Sequence, residues 1–300
     1  MKTIRFLILG LLLNLSAFAG SLPYELTVKD PDNLLGAERE LVLANLDAAV
    51  DDWGKWITGK APLRIEMRVT NDTASGRFGG STTTLKFDKD VDGYKLFEPS
   101  SVYRLRTGKI VPGSTSDVLI LVNVDFMKRT YWMDPEPKLR TKPVPVGKVD
   151  LVTVFAHELG HGLGMNALLN FSTGLPRESK GVTAYDRFIL DTAALGDSNV
   201  YFSGPMAKKA YEGKSVPIFF VTGSQQENIV HNEKTYLCMR DESQNLAHYG
   251  HFNSASPEND LTFFGLMAGA WVAKDPKFGI RTFVGRLDAA ILGDIGVPLL

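Results

Sequence analysis

The sequence predicts an α+β fold: a mixed, twisted sheet with one long helix and a second, motif-bearing helix, then a mostly irregular C-terminal part ending in a helix. Three observations predict it. Leu63-Arg64-Ile65-Glu66-Met67-Arg68-Val69 alternates apolar and charged residues, the period of a strand with one buried face. Leu34, Leu41, Leu46, Ala49, Val50, Trp53 and Ile57 recur at helical spacing and mark the apolar side of a long helix. Val118-Leu119-Ile120-Leu121-Val122 is apolar throughout, and a loop with four prolines joins it to a second helical stretch beginning near Asp150.

Composition bounds the rest. The chain has 300 residues, 44% hydrophobic and 22% charged, enough for one large globular domain or two small ones. A net charge of −1 offers no electrostatic footing for a nucleic acid. Lys2 and Arg5, the apolar run Phe6–Leu15 and Ser16-Ala17-Phe18-Ala19 have the form of a secretory signal peptide over 1–19, leaving a mature chain of 20–300. The expected location is therefore extracellular or periplasmic, with no membrane association after signal removal. With Cys238 alone, the chain has no internal disulfide, and its stability must come from its core. Tyr236, Leu237 and Met239 around Cys238 suit a buried strand cysteine.

Taken in order, residues 22–28 read as a short strand, and the long helix opens at Asn33 or Gly36 and ends at Gly59–Pro62. The alternating strand at 63–69 follows. Gly76–Gly80 reads as a turn and Thr82–Phe87 as a strand. Asp88-Lys89-Asp90-Val91-Asp92-Gly93 has the first half of a Ca2+ loop, but its twelfth position is Pro99 instead of Glu. A solvated Asp-Gly hairpin turn is the favoured reading. The apolar strand 118–122 is expected to be the sheet edge on which an extended peptide lies by strand addition. Beyond residue 165 the signals are a helix over 183–194, a strand over 216–222, a histidine-bearing stretch over 246–252, an apolar stretch over 263–272 and a closing helix over 282–292. No repeat, low-complexity tract or clear linker divides the chain.

The chemistry concentrates in Val154-Phe155-Ala156-His157-Glu158-Leu159-Gly160-His161-Gly162-Leu163-Gly164. Residues i and i+4 of a helix share a face, so His157 and His161 can present two imidazoles to one metal ion. Neutral imidazole suits Zn2+, which in catalytic sites keeps three protein ligands and one open position for water. Zinc lowers the pKa of that water to about 7. Glu158, beside the first ligand, is placed to act as general base. The third ligand is not fixed by spacing. Position 167 is Ala, and the donors that follow are Asp186, Asp191, His231, Cys238, His248 and His251.

The run His157-Glu158-x-x-His161-x-x-Gly164, after a strand, a long helix and further strands, resembles the zincins of the metzincin clan, with Ala167 a departure from their long motif. Over roughly 150–300 the chain is similar to secreted bacterial zinc metalloproteases. The similarity rests on Tyr185-Asp186-Arg187-Phe188, Ala247-His248-Tyr249, Leu266-Met267 and Leu287-Asp288-Ala289-Ala290-Ile291-Leu292-Gly293-Asp294-Ile295-Gly296. That resemblance implies an upper subdomain of about 22–165, a lower one of about 166–300, His248 as third zinc ligand, Met267 as a floor beneath the metal and an oxyanion role for Tyr249. It implies a secreted zinc endopeptidase acting on protein or peptide substrates. Two other readings stay open: an exported binding protein with a degenerate site, which Ala167 permits, and a zinc hydrolase of non-peptide substrates.

Overall fold

The computed structural model describes residues 22–72, 78–169, 176, 181–193, 200–218, 227–231, 234–238, 277 and 279–300. The expected signal peptide and the stretches 246–252 and 263–272 lie outside the described residues. No helix among the described residues is long and apolar enough to cross a membrane.

The fold is mixed α+β with open sheets. Strand β1 (Tyr24–Lys29) leads to α1 (Arg39–Gly54) and back to β2 (Leu63–Thr70). Then come β3 (Phe78–Thr82), the hairpin β4 (Leu85–Val91) and β5 (Tyr94–Pro99), α2 (Ser100–Thr107), β6 (Val118–Asn123) and α3 (Val124–Thr130). The pair β7 (Tyr131–Trp132) and β8 (Val149–Asp150) flanks the proline-rich loop, and α4 (Leu151–Gly162) carries the histidines. Beyond it are β9 (Gly181–Thr183), α5 (Ala184–Ala193), β10 (Val200–Phe202), α6 (Pro205–Ala210), β11 (Val216–Ile218), β12 (Glu227–His231), β13 (Lys234–Cys238) and α7 (Arg286–Asp294).

The principal sheet has the order β1-β2-β6-β3. Strands β1, β2 and β6 are parallel, and β3 is antiparallel to β6. The expectation that 118–122 forms the edge is therefore corrected: β6 has neighbours on both sides, and among the described residues β3 is one edge of the sheet, with β1 the other. The physical reason is legible in the residues. A strand apolar on both faces needs cover on both, which an interior position supplies. The edge instead has the small and polar Gly79, Gly80, Ser81 and Thr82.

The Gly76–Gly80 turn is also corrected, since Phe78, Gly79 and Gly80 pair with Val122, Leu121 and Ile120. The strand expected over 82–87 is two strands, because β4 leaves the principal sheet to pair with β5, whose other edge takes β9. Asp92 and Gly93 both have positive φ and make the tight β4–β5 turn. Asp88 and Asp90 lie in β4 itself. Helices α2 and α3 were not expected. Their short runs carry too little apolar periodicity to register, and α3 starts where the Asn123 side chain accepts from the Phe126 N–H at 3.0 Å.

Helix α4 is buried along all twelve residues, between α1 and the sheet. Glycines make this approach possible. A Cβ on Gly162 would stand 2.4 Å from a Val118 methyl of β6. On the other side, Val42, Leu46, Ala49 and Trp53 of α1 are buried, and the Trp53 indole N–H donates to the Ala156 carbonyl at 2.8 Å.

The N-terminal end of α4 is held by charge. The carboxylate of Asp150, just before the helix, accepts from the Arg140 guanidinium at 2.7 Å, from Arg281 at 3.2 Å and from the Thr153 hydroxyl at 3.2 Å. Arg140 also pairs with Asp52 of α1 and donates to the Thr282 carbonyl. Arg281 reaches Asp134 at 2.6 Å. All four charged groups of this cluster other than Arg281 are nearly sealed from water. It ties α1, the proline-rich loop, α4 and the C-terminal segment to one point. The closing helix begins later than the spacing suggests, at Arg286. Phe283 precedes it, half exposed, with its ring 3.9 Å from the Arg140 guanidinium carbon.

Candidate metal centre

The C-terminal end of α4 shapes the site. Gly164 has φ +111°, a conformation reserved in practice for glycine. Its N–H donates to the His161 carbonyl at 3.1 Å, and the Met165 N–H donates to the Gly160 carbonyl at 3.1 Å. These paired bonds are a Schellman motif, which stops the helix and folds the chain back over its last turn. The turn places the Met165 carbonyl 3.0 Å from Nδ1 of His161. Nδ1 is then the protonated nitrogen, and Nε2 keeps its lone pair.

That lone pair faces His157. The two Nε2 atoms are 3.1 Å apart, and the rings are nearly perpendicular, with centroids 4.7 Å apart. Two nitrogens bound tetrahedrally to zinc at its usual bond length would be separated by about 3.3 Å. The pair thus fits two ligands of one zinc ion, with His161 already oriented through its outer nitrogen in the manner of metal-bound histidines. Both histidines are nearly buried.

Glu158 sits between them in sequence, close to the edge strand. Burial pushes its carboxyl up to about 8, against the opposing pull of the Gly80 N–H. Strand and helix touch here. A Cβ on Gly80 would stand 1.9 Å from the Glu158 carbonyl oxygen, whereas one on Gly79 would meet nothing within 4 Å. Gly80→Ala should therefore force β3 off α4 and cost about 1–3 kcal/mol. Its melting temperature should fall by several degrees while Gly79→Ala melts close to wild type. Equal melting of the two variants would contradict this packing.

Asp186 is brought near the end of α4 but is already engaged. Its carboxylate accepts from the Leu168 N–H at 2.8 Å, the Thr183 N–H at 2.7 Å and the Thr183 hydroxyl at 2.8 Å. The Asp186 N–H donates back to the Thr183 hydroxyl at 3.2 Å, closing a capping box at the start of α5. Burial raises its carboxyl to about 6 despite these donors. It fastens the loop after α4 to the start of α5.

Asp191 lies in α5, His231 in β12 and Cys238 in β13. His248, Tyr249, His251 and Met267 lie outside the described residues. Among the described residues no three His, Cys, Asp or Glu side chains converge as a metal site. The two acids of the C-terminal motif serve helix starts. Asp288 accepts from the Gly285 N–H at 2.8 Å, and Asp294 from the Met206 and Ala207 N–H groups of α6, both at 2.8 Å.

Sequence reading missed the Met165 carbonyl and the Gly80 backbone. The first was signalled only through Gly164, and the second only as a glycine pair. No protein-family model matches the chain, and no curated protein or solved structure is found to be similar to it.

Proposed function

We propose that the chain is an exported zinc-dependent endopeptidase with a zincin-like, metzincin-type arrangement. The observation that supports this most is the facing pair of Nε2 atoms on one helix, with Glu158 beside them. His157, His161 and His248 are the residues that would hold the metal. Bound zinc supplies Lewis acidity toward a carbonyl and a water acidic enough to be deprotonated near neutrality. Burial alone holds the Glu158 carboxyl at about 8, and the charge of a metal held by the flanking histidines would lower it, so that Glu158 would be the residue to take up a proton and hand it to the leaving amine. The Met165 carbonyl keeps His161 in the correct tautomer. The edge strand β3 offers backbone groups to an extended peptide by strand addition.

The test is elemental analysis of the purified protein and of His248→Ala. One zinc per wild-type chain, lost in the variant, is the expected result. Zinc retained in the variant would move the third ligand to another donor. Wild-type protein that takes up no zinc even on reconstitution would end the reading.

A further inference from the structure

A cavity of about 250 Å³ opens where β5 runs on past the end of β9. The pairing of these strands stops at Phe97 and Thr183, because the chain turns into α5 at Ala184. Glu98 and Pro99 therefore continue β5 with no β9 residue opposite them. Leu96, Phe97, Pro99, Ala184, Ile295 and Gly296 line the gap that results. At the volume of liquid water it has room for about eight water-sized groups, a small organic molecule.

The apolar wall is fixed from behind. Pro99 and Ile295 are buried. A Cβ on Gly164 would stand 3.2 Å from the Pro99 ring and 3.0 Å from the terminal methyl of Ile295. The turn that ends α4 thus props both residues, so the cavity is formed before anything enters it.

The charges that complete the lining do not balance. The Glu98 carboxylate accepts from Nε and Nη2 of Arg106, both at 2.8 Å, a bidentate pair in which each charge answers the other. Asp88 is left over. It is the extra residue of a bulge in β4, where the register passes from Phe87 opposite Phe97 to Lys89 opposite Leu96. Among the described residues no hydrogen bond or ion pair engages its carboxylate. Lys86, two residues before it, is turned instead to the Phe87 carbonyl and the Tyr103 ring. Apolar walls with one uncompensated negative charge select a cation carried on an apolar body.

We propose that this cavity binds a small organic cation, a primary ammonium on an apolar group about the size of a phenyl ring. The apolar group lies against Leu96, Phe97 and Ile295, and the ammonium meets Asp88. The inference goes beyond the endopeptidase reading and stands without it, since binding here needs neither metal nor hydrolysis.

The test titrates phenethylammonium chloride into the purified protein at neutral pH and reads binding by calorimetry. Phenethyl alcohol and hydrocinnamate are its neutral and anionic counterparts. The amine should bind with a Kd on the order of 0.1–1 mM, ordinary for a ligand of this size. It should bind about fivefold more tightly than the alcohol, the scale of one solvent-exposed charge pair, and more tightly still than the anion. Asp88→Asn should erase the advantage of the amine over the alcohol. Ala184→Leu, which puts a larger side chain into the cavity, should abolish binding of both. Asp88→Lys, at an exposed position, should reverse the preference toward the anion and serves if Ala184→Leu does not fold. Equal affinity for amine and alcohol, an amine preference that survives both Asp88 variants, or no amine binding tighter than ~10 mM would overturn the proposal. A Phe-Gly-Gly amide that competes with the amine, when its acetylated form does not, would make the ligand the free end of a peptide. Failure of that peptide to compete would make it a free amine, and either result upholds the cation site.

Discussion

Glu158→Gln should leave zinc content unchanged and slow peptide hydrolysis by about 10²–10⁴-fold, the usual contribution of a positioned general base. The substitution keeps the shape of the side chain and its place on α4, and the histidines on either side keep their backbone positions. What changes is the ability to take a proton. Glutamine can still accept from the Gly80 N–H through its carbonyl oxygen, so the contact between helix and edge strand survives. The measurement is kcat/KM on a cleaved peptide together with elemental analysis of the same sample. Activity within tenfold of wild type, with zinc bound, would remove Glu158 from the mechanism.

Arg140→Met should be the most destabilising single change in the described residues. It removes a buried guanidinium shared by Asp52, Asp150, Thr153 and the Thr282 carbonyl. Methionine fills much of the volume but leaves two carboxylates short of a partner. Breaking a buried pair from one side costs about 3–5 kcal/mol. Lys55 beside Asp52 and Arg281 beside Asp150 hold the loss toward the lower end of that range. In a domain of this size the expected fall in melting temperature is roughly 5 °C. Arg140→Lys keeps the charge but loses the planar fork, so it should recover only part of the difference. A Met variant melting within about 2 °C of wild type would show that the cluster does not clamp α4.

Much of the frame was legible because local patterns carried it. The alternation of Arg64, Glu66 and Arg68 with apolar neighbours marked β2 to within a residue, and the apolar stretch opening near Asp150 with its i, i+4 histidines marked α4. What escaped depends on partners distant in sequence. Arg140 and Arg281 look like ordinary surface cations in the chain, and only folding brings them together at Asp150. Gly79-Gly80 read as a turn because glycine serves both turns and close backbone approach, and only the contact with Glu158 decides between them. The edge was misplaced at 118–122 because apolar continuity was read as a binding surface when it reports burial. The third ligand was left among several donors, since a distant histidine has no spacing rule to tie it to His157 and His161.

The arginine cluster also sets an order in time. A ribosome delivers the chain from its N-terminus, so β1, β2, β3, β6 and α4 all emerge well before residue 281. Until Arg281 and the Thr282 carbonyl arrive, Arg140 and Asp150 lack part of their bonding, and Trp56 lacks the Val284 carbonyl it donates to at 3.1 Å. The last stretch likewise reaches back, with the Thr58 N–H donating to the Pro298 carbonyl and the Leu300 N–H to the Trp56 carbonyl. Such contacts across most of the chain's length close large loops and form late. The helix that bears the histidines is therefore locked in full only by the segment from Arg281 onward, and a nascent chain stopped short of residue 281 has the motif with only part of its anchor.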